Sequence, residues 1–183
     1  PRRVVVGLHG AYPAPAKNSL AAIAACCGLG AELHISKGAI NQSNIRTIRT
    51  LLSRERHTIH DQLPYEEVRK LLLSAEVLVH PSVSDTWPYL VMEAIYAGLP
   101  VVLSRVVGLS AYLSRPRDCV VSPPTATQQI RKLTEALLDN AELRQRVSED
   151  QLAALESLRP RFMEETRRAL QQLGFPVAAY PPL

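Results

Sequence analysis

Apolar, β-branched segments alternate with helical segments along the whole chain, and this alternation limits the folds that the chain can adopt. Strands are predicted at residues 3–7, 32–36, 57–60, 77–80, 101–104 and 119–121. Helices are predicted at residues 18–27, 42–53, 65–73, 110–114, 127–138, 141–158 and 162–173, one starts near Thr86, and Pro160 separates the last two. Successive strands joined by helices pair in parallel, with right-handed crossovers. The sequence therefore predicts an α/β fold, a Rossmann-like three-layer sandwich with a mostly parallel sheet of about six strands and C-terminal helices.

Composition limits the number of domains. The chain has 183 residues, 46% of them hydrophobic and 21% charged, which suits one core and is too short for two full Rossmann-like domains. We expect a single domain at residues 1–173, followed by a proline-rich tail at 174–183. No apolar run approaches the ~20 residues that span a bilayer, and no signal-peptide pattern opens the chain, so a cytoplasmic location is expected. The three cysteines fit neither a disulfide framework nor a metal site.

One stretch combines two carboxylates with a helix start. Asp85 lies in the loop after the strand at 77–80, and Glu93 lies two turns into the next helix. Loops at the carboxyl ends of parallel strands form the crevice that holds nucleotides in α/β proteins. Helix N-terminal amides bind phosphate there, and those available are on Tyr89, Leu90 and Val91. A simpler interpretation stays open, in which Asp85 caps the helix and Glu93 is merely solvated.

The run LLLSAEVLVHPSVSDTWPYLVMEAIYAGLPVVLS, residues 71–104, resembles the donor-binding half of GT-B-fold glycosyltransferases. It is similar to the retaining group called glycosyl transferases group 1, or family 4-like. The signature of that group is a pair of acids separated by seven residues, a small-residue helix and a Gly-Leu-Pro-Val-Val strand. Weaker similarity extends to Lys17-Asn18 and to residues 121–144. The resemblance implies a C-terminal, nucleotide-sugar-binding domain that covers most of the chain.

The resemblance also implies roles for individual residues. Glu93 matches the acid that binds the donor ribose, and Asp85 matches the acid that touches the donor sugar. Lys17 matches the lysine that neutralises the diphosphate, while Leu90 and Val91 match positions whose amides meet phosphate. Asp85, Glu93 and Lys17 are thus the candidate catalytic residues, and Tyr89 joins the donor-binding set.

Other candidate donor contacts follow the first three strands. Gly38 resembles the small-residue turn that approaches the donor, and Gln62 lies where relatives contact the base; for both positions an ordinary connecting turn remains open. The family arginine after the first strand is replaced here by Leu8 and His9, so His9 is a candidate, though weaker, phosphate contact. His80 either meets the sugar or holds its loop through a backbone hydrogen bond. Trp87 either stacks on a sugar or, as we expect, is buried beside the helix start.

The predicted function is transfer of a sugar from a nucleotide-diphosphate sugar, a UDP- or GDP-sugar, to an acceptor, by a retaining hexosyltransferase-like mechanism. No cofactor or metal is expected, because no acid cluster suits a divalent ion. The acceptor-binding N-terminal domain is expected elsewhere on the same or another chain, so this chain alone should be inactive or weak. A degenerate, non-catalytic binding or scaffold module is the alternative.

The formal charge of +4 would attract an anionic donor or surface. Two arginine clusters suit a solvated face, a missing domain or peripheral membrane contact. They carry no interleaved aromatic residues, which argues against binding to nucleic acid.

Overall fold

A computed structural model describes residues 2–6, 15–36 and 45–172, and within these ranges all strands pair in parallel. The strands are β1 (Arg3–Val6), β2 (Glu32–Ser36), β3 (His57–His60), β4 (Val77–His80), β5 (Val101–Ser104) and β6 (Val120–Val121). The α-helices are α1 (Ser19–Cys26), α2 (Ile45–Leu52), α3 (Tyr65–Ser74), α4 (Tyr89–Tyr96), α5 (Thr127–Asp139) and α6 (Ala141–Gln172). Three 3₁₀ helices lie at Pro15–Lys17, Gly108–Tyr112 and Pro116–Asp118. The predicted Rossmann-like architecture is confirmed, and its sheet is wholly parallel.

The strand order places a switch point at the centre of the sheet. The order is β3-β2-β1-β4-β5-β6. Strands β2 and β3 are therefore added on one side of β1, and β4, β5 and β6 on the other side. At the junction Val6 pairs with both Ile35 of β2 and Val79 of β4. Since the chain continues from β1 to β2 on one side and from β4 to β5 on the other, the carboxyl ends of β1 and β4 border a crevice at this junction.

The strands nearest the switch point are buried on both faces. Every residue of β4 and β5, and Val4 to Val6 of β1, is buried, as expected for a sheet covered by helices on each side. Right-handed crossovers in opposite directions put α1 and α4 on opposite faces. Helix α1 packs against α5, and α4 packs against α6. The apolar strands therefore form a rigid floor beneath the crevice.

Helix α6 differs from the sequence prediction. The structure shows one helix from Ala141 to Gln172 that continues through Pro160, where the sequence predicts an interruption. Pro160 removes one hydrogen bond to the carbonyl four residues earlier. Its side chain is exposed, so water can satisfy the released carbonyl and the helix continues.

The side chain of Gln151, in α6, hydrogen-bonds the backbone of β5 in the place of a strand residue. Its side chain is fully buried; Oε1 accepts from Val101 N at 2.9 Å, and Nε2 donates to Val101 O at 2.7 Å. Strand β6 pairs with β5 only at Leu103 and Ser104, so it does not reach Val101. The glutamine amide thus replaces the missing strand residue, because it offers one donor and one acceptor as a peptide unit does.

A polar cluster occupies β2 and β3 at the other side of the sheet. His34 Nδ1 and His60 Nε2 lie 2.9 Å apart, and the two rings stack with centroids 5.2 Å apart. Glu32 lies beside them, 3.7 Å from His34 Nε2 and 3.9 Å from Arg3 Nε, and accepts from Thr58 at 3.1 Å. Burial lowers the pKa of both histidines, although Glu32 opposes the shift.

The lowered histidine pKa values predict a loss of stability in acid. Below the unfolded-state value of about 6.5 the unfolded chain takes up protons that the buried pair resists, so the free energy of unfolding should fall as pH drops. Urea unfolding at pH 7.5 and pH 5.5 measures the fall. His60→Gln should flatten it, whereas His57→Gln, at an exposed position of the same strand, serves as the matched control. Equal pH slopes in the parent protein and His60→Gln would contradict the prediction.

Candidate functional site

The loops at the switch point are held together by a small set of hydrogen bonds. The carbonyl of Ala16, in the segment after β1, accepts from Val83 N at 2.7 Å and from Ser82 Oγ at 2.8 Å. Ser104, the last residue of β5, donates its hydroxyl to the carbonyl of Ser82. Three segments that are distant in the sequence therefore lie together: the segment after β1, the loop after β4 and the end of β5. Each satisfies hydrogen-bonding groups of its neighbour.

Asn18 fixes the segment that carries Lys17. Its backbone has φ 55° and ψ 37°, in the left-handed region, which asparagine tolerates better than most residues. This conformation directs its side-chain amide to the carbonyls of Pro81 and Pro124, at 3.1 and 2.9 Å. Asn18 thus ties the loops after β4 and β6 to the start of α1, and Lys17 is held directly before it.

Three predicted site residues meet above the end of β4. Lys17 Nζ forms an ion pair with Asp85 Oδ2, and His80 Nε2 lies 3.0 Å from the same oxygen. The side chain of His80 is 2% exposed and that of Asp85 10% exposed, so both lie in the floor of the crevice. Burial raises the pKa of Asp85, but hydrogen bonds from His80 and Lys17 and the charge of Lys17 lower it below its ordinary value. The carboxylate of Asp85 is therefore ionised, and its contacts with Lys17 and His80 fix its position.

This geometry changes the interpretation of two residues. Asp85 does not cap the following helix: α4 begins at Tyr89, its N-cap is Pro88, and no side chain caps it. The sequence prediction of a helix start near Thr86 is wrong by three residues. His80 contacts the Asp85 carboxylate in the loop that follows it, a contact that the sequence analysis did not foresee; the two roles expected for it, meeting the sugar and holding the loop through a backbone hydrogen bond, stay predictions. Its position as the last residue of a buried strand was the signal that placed it at the crevice.

The start of α4 faces the same crevice. Val91 N and Met92 N both donate to Pro88 O, at 3.0 and 3.2 Å, so the Val91 amide already has an acceptor. The amides of Tyr89 and Leu90 precede the first intrahelical hydrogen bonds and are the ones oriented to receive an anion. The predicted contact through Val91 stays a prediction.

The loop after β5 approaches the Asp85 loop very closely. Gly108 N donates to Thr86 O at 3.0 Å, and a Cβ on Gly108 would lie 2.7 Å from that oxygen. Any larger residue at position 108 would push Thr86, and with it Asp85, out of place. Arg105, in the same loop, is exposed.

Glu93 lies in a second depression, between α3 and α4. The cavity has a volume of about 210 Å³, and its lining includes Glu93, Tyr65, Val68 and Arg69. Tyr65 begins α3 directly after the loop that contains the exposed Gln62. Glu93 and Tyr65, the residue with which α3 begins after that loop, therefore border one cleft beside α4. The predicted residues His9 and Gly38 lie outside the described residues.

Trp87 is a correction to the sequence analysis. We expected it to be buried beside the start of α4, but it is 41% exposed. Val83, Tyr89 and Tyr112, which also belong to loops or helix starts at the carboxyl end of the sheet, are exposed by 43%, 79% and 43%. The buried residues at the start of α4 are Pro88 and Val91.

Metal-ligand clusters and membrane-spanning helices are both absent from the residues that the structure describes. Those residues contain no group of three or more histidine, cysteine, aspartate or glutamate side chains that could hold a metal ion. None of their helices is long and apolar enough to cross a membrane.

A wholly parallel sheet with a charged site at its switch point defines a Rossmann-type ligand-binding domain. The chain belongs to the family "Glycosyl transferases group 1", whose model matches residues 20–151. It is 29% identical over 91 residues to the lipopolysaccharide glucosyltransferase WaaG of Escherichia coli (strain K12), covering 49% of this chain and 24% of that protein.

Solved structures agree on the fold. The sucrose-phosphate synthase of Thermosynechococcus elongatus matches with a TM-score of 0.71 and 18% identity over 94% of this chain and 45% of that chain. The catalytic domain of cholesterol-α-glucosyltransferase from Helicobacter pylori matches with a TM-score of 0.68 and 15% identity, over 86% of this chain and 99% of that chain. The matched segments span 22–25% of the length of the curated relatives. The predicted resemblance to the donor-binding half of GT-B glycosyltransferases is confirmed.

Proposed function

We propose that this chain is the donor-binding domain of a retaining glycosyltransferase, which transfers a sugar from a UDP- or GDP-sugar to an acceptor. The observation that carries the proposal is the cluster of Lys17, Asp85 and His80 at the switch point. The cluster joins a cation to a carboxylate of the loop that leads into α4, and the first amides of that helix, on Tyr89 and Leu90, precede its intrahelical hydrogen bonds. A nucleotide-diphosphate sugar needs these groups together, since it presents charged oxygens next to sugar hydroxyls.

The donor would extend from the crevice at the switch point into the depression between α3 and α4. Lys17 and the amides of Tyr89 and Leu90 would bind the diphosphate, with His9 and the Val91 amide as further contacts. Asp85 would accept hydrogen bonds from hydroxyls of the sugar. Glu93 would accept from the ribose, because it lies on α4 beyond the phosphate-binding turn. The base would then lie near Gln62 and Gly38, after the second and third strands.

Catalysis in this arrangement is electrostatic. When the bond between sugar and diphosphate breaks, negative charge develops on the departing diphosphate. Lys17 and the start of α4 stabilise that charge from fixed positions. The family relationship supports a retaining outcome. Partial coverage of the matched relatives supports an acceptor-binding domain on the same or another chain, and with it low activity of this chain alone.

A non-catalytic binding module is the second candidate, and two observations favour it. Lys17 is neutralised by its ion pair with Asp85, and the family's arginine is absent at positions 8 and 9. Calorimetric titration with UDP, GDP, UDP-glucose and GDP-mannose separates the two. Saturable binding of a nucleotide sugar supports the enzyme domain, whereas no binding by any of the four supports the module.

Glu93→Gln should weaken nucleotide-sugar binding by about 1–2 kcal/mol, because the amide loses the negative charge that strengthens bonds to ribose hydroxyls. Calorimetry gives the change, and the melting temperature should stay that of the parent. Glu135→Gln, an exposed position on α5, is the matched control. Equal affinities for parent and Glu93→Gln would remove Glu93 from the site.

A further inference from the structure

Lys17 is the cation that both Asp85 and the diphosphate of the donor would bind. Lys17 is paired with Asp85, and its side chain is only 26% exposed. The carboxylate is held from below by His80 on the same oxygen, so it cannot swing away from the lysine without breaking a second contact. Asp85 is the most buried carboxylate among the ion pairs of the described residues.

From this geometry we propose that Asp85 competes with the diphosphate for Lys17. When Lys17 turns to the diphosphate, the hydroxyls of a donor sugar replace the lost ion pair with hydrogen bonds to Asp85, which a bare diphosphate cannot do. The inference rests on the proposed donor site and goes beyond it, because it assigns Asp85 a role in choosing between nucleotide sugar and free nucleoside diphosphate.

The physical reason is the cost of an uncompensated buried charge. A bare diphosphate that draws Lys17 towards itself leaves Asp85 with His80 alone, and two anions then share one cation. That arrangement is unfavourable in a partly desolvated site. A nucleotide sugar brings hydroxyl donors to the same carboxylate, so the acid keeps hydrogen bonds when the lysine moves. The site therefore favours the substrate over its own product, the free nucleoside diphosphate.

The competition is tested with inorganic pyrophosphate, which carries neither base nor sugar. Asp85→Asn keeps the size and a hydrogen-bonding group for His80 but removes the charge. We expect calorimetry to show pyrophosphate binding about 3- to 30-fold tighter than in the parent. In a Lys17→Met background the same change should give no gain, since the cation is gone. Circular dichroism and thermal melting check folding, and Asp85→Ser repeats the test with a smaller side chain.

The compensation is tested with UDP against UDP-glucose and GDP against GDP-mannose. Asp85→Asn should tighten UDP and GDP binding while lowering the ratio by which the sugar conjugate is preferred. Unchanged or weaker pyrophosphate binding in Asp85→Asn overturns the inference, as does an unchanged preference ratio. If pyrophosphate binding tightens but neither nucleotide sugar binds the parent, the competition stands and the proposed donor function falls.

Discussion

Replacing Gln151 with leucine should lower the free energy of unfolding by about 2–5 kcal/mol, one of the two largest effects expected here. The change keeps the volume of the buried side chain but leaves the N–H and C=O of Val101 without partners, and each unsatisfied buried group costs about 1–3 kcal/mol. Urea unfolding followed by circular dichroism measures the loss.

The matched control is Gln145→Leu. Gln145 lies on the same helix, is exposed, and donates a hydrogen bond to the surface residue Glu149, so its replacement should change stability by less than about 0.5 kcal/mol. Similar stabilities for the Gln151 and Gln145 variants would mean that water or a shifted strand residue satisfies Val101.

Lys17→Met should weaken binding of a nucleoside diphosphate by about 1.5–3 kcal/mol, or about 10- to 150-fold. Methionine keeps a long apolar stem but removes the charge that, in the proposed site, would meet the phosphates. Binding of the bare nucleoside should change little, since it carries no phosphate. The difference between the two ligands should also shrink as salt is added, because a partly exposed ion pair is screened.

Calorimetry at two salt concentrations measures both ligands, and Lys132→Met, at an exposed position on α5, controls for the general loss of positive charge. Equal losses for nucleoside and diphosphate would show that Lys17 acts structurally, by holding Asp85 and its loop.

The fold could be predicted from the sequence because its signal is local. Each buried strand, such as Val77–His80 and Val101–Ser104, is a short apolar run between turns, and strand–helix alternation leaves a parallel sheet as the main solution. The continuation of α6 through Pro160 could not be predicted, because it depends on which side of the helix the proline faces. The exposure of Trp87 likewise depends on packing between loops.

The candidate site was predicted residue by residue, but its internal contacts were not. Spacing placed Asp85 and Glu93 around one helix start, whereas the pairing of Lys17 with Asp85 joins residues 68 positions apart. Asn18 and Ser82 were missed as organising residues because their roles consist of hydrogen bonds to distant carbonyls. Such bonds leave no periodic pattern in the sequence. The asparagine at position 18, at the start of a predicted helix, was nevertheless a signal for a left-handed backbone conformation. The roles assigned to the site residues remain proposals.

The glutamine that completes β5 also protects the sheet from self-association. An unpaired strand segment presents N–H and C=O groups on which a second chain can add a strand, and proteins that leave such a segment open tend to aggregate. Strand β6 has only two residues, so Val101 would otherwise offer that opportunity. Because Gln151 occupies both of its polar groups from a helix, no foreign strand can extend the ladder there.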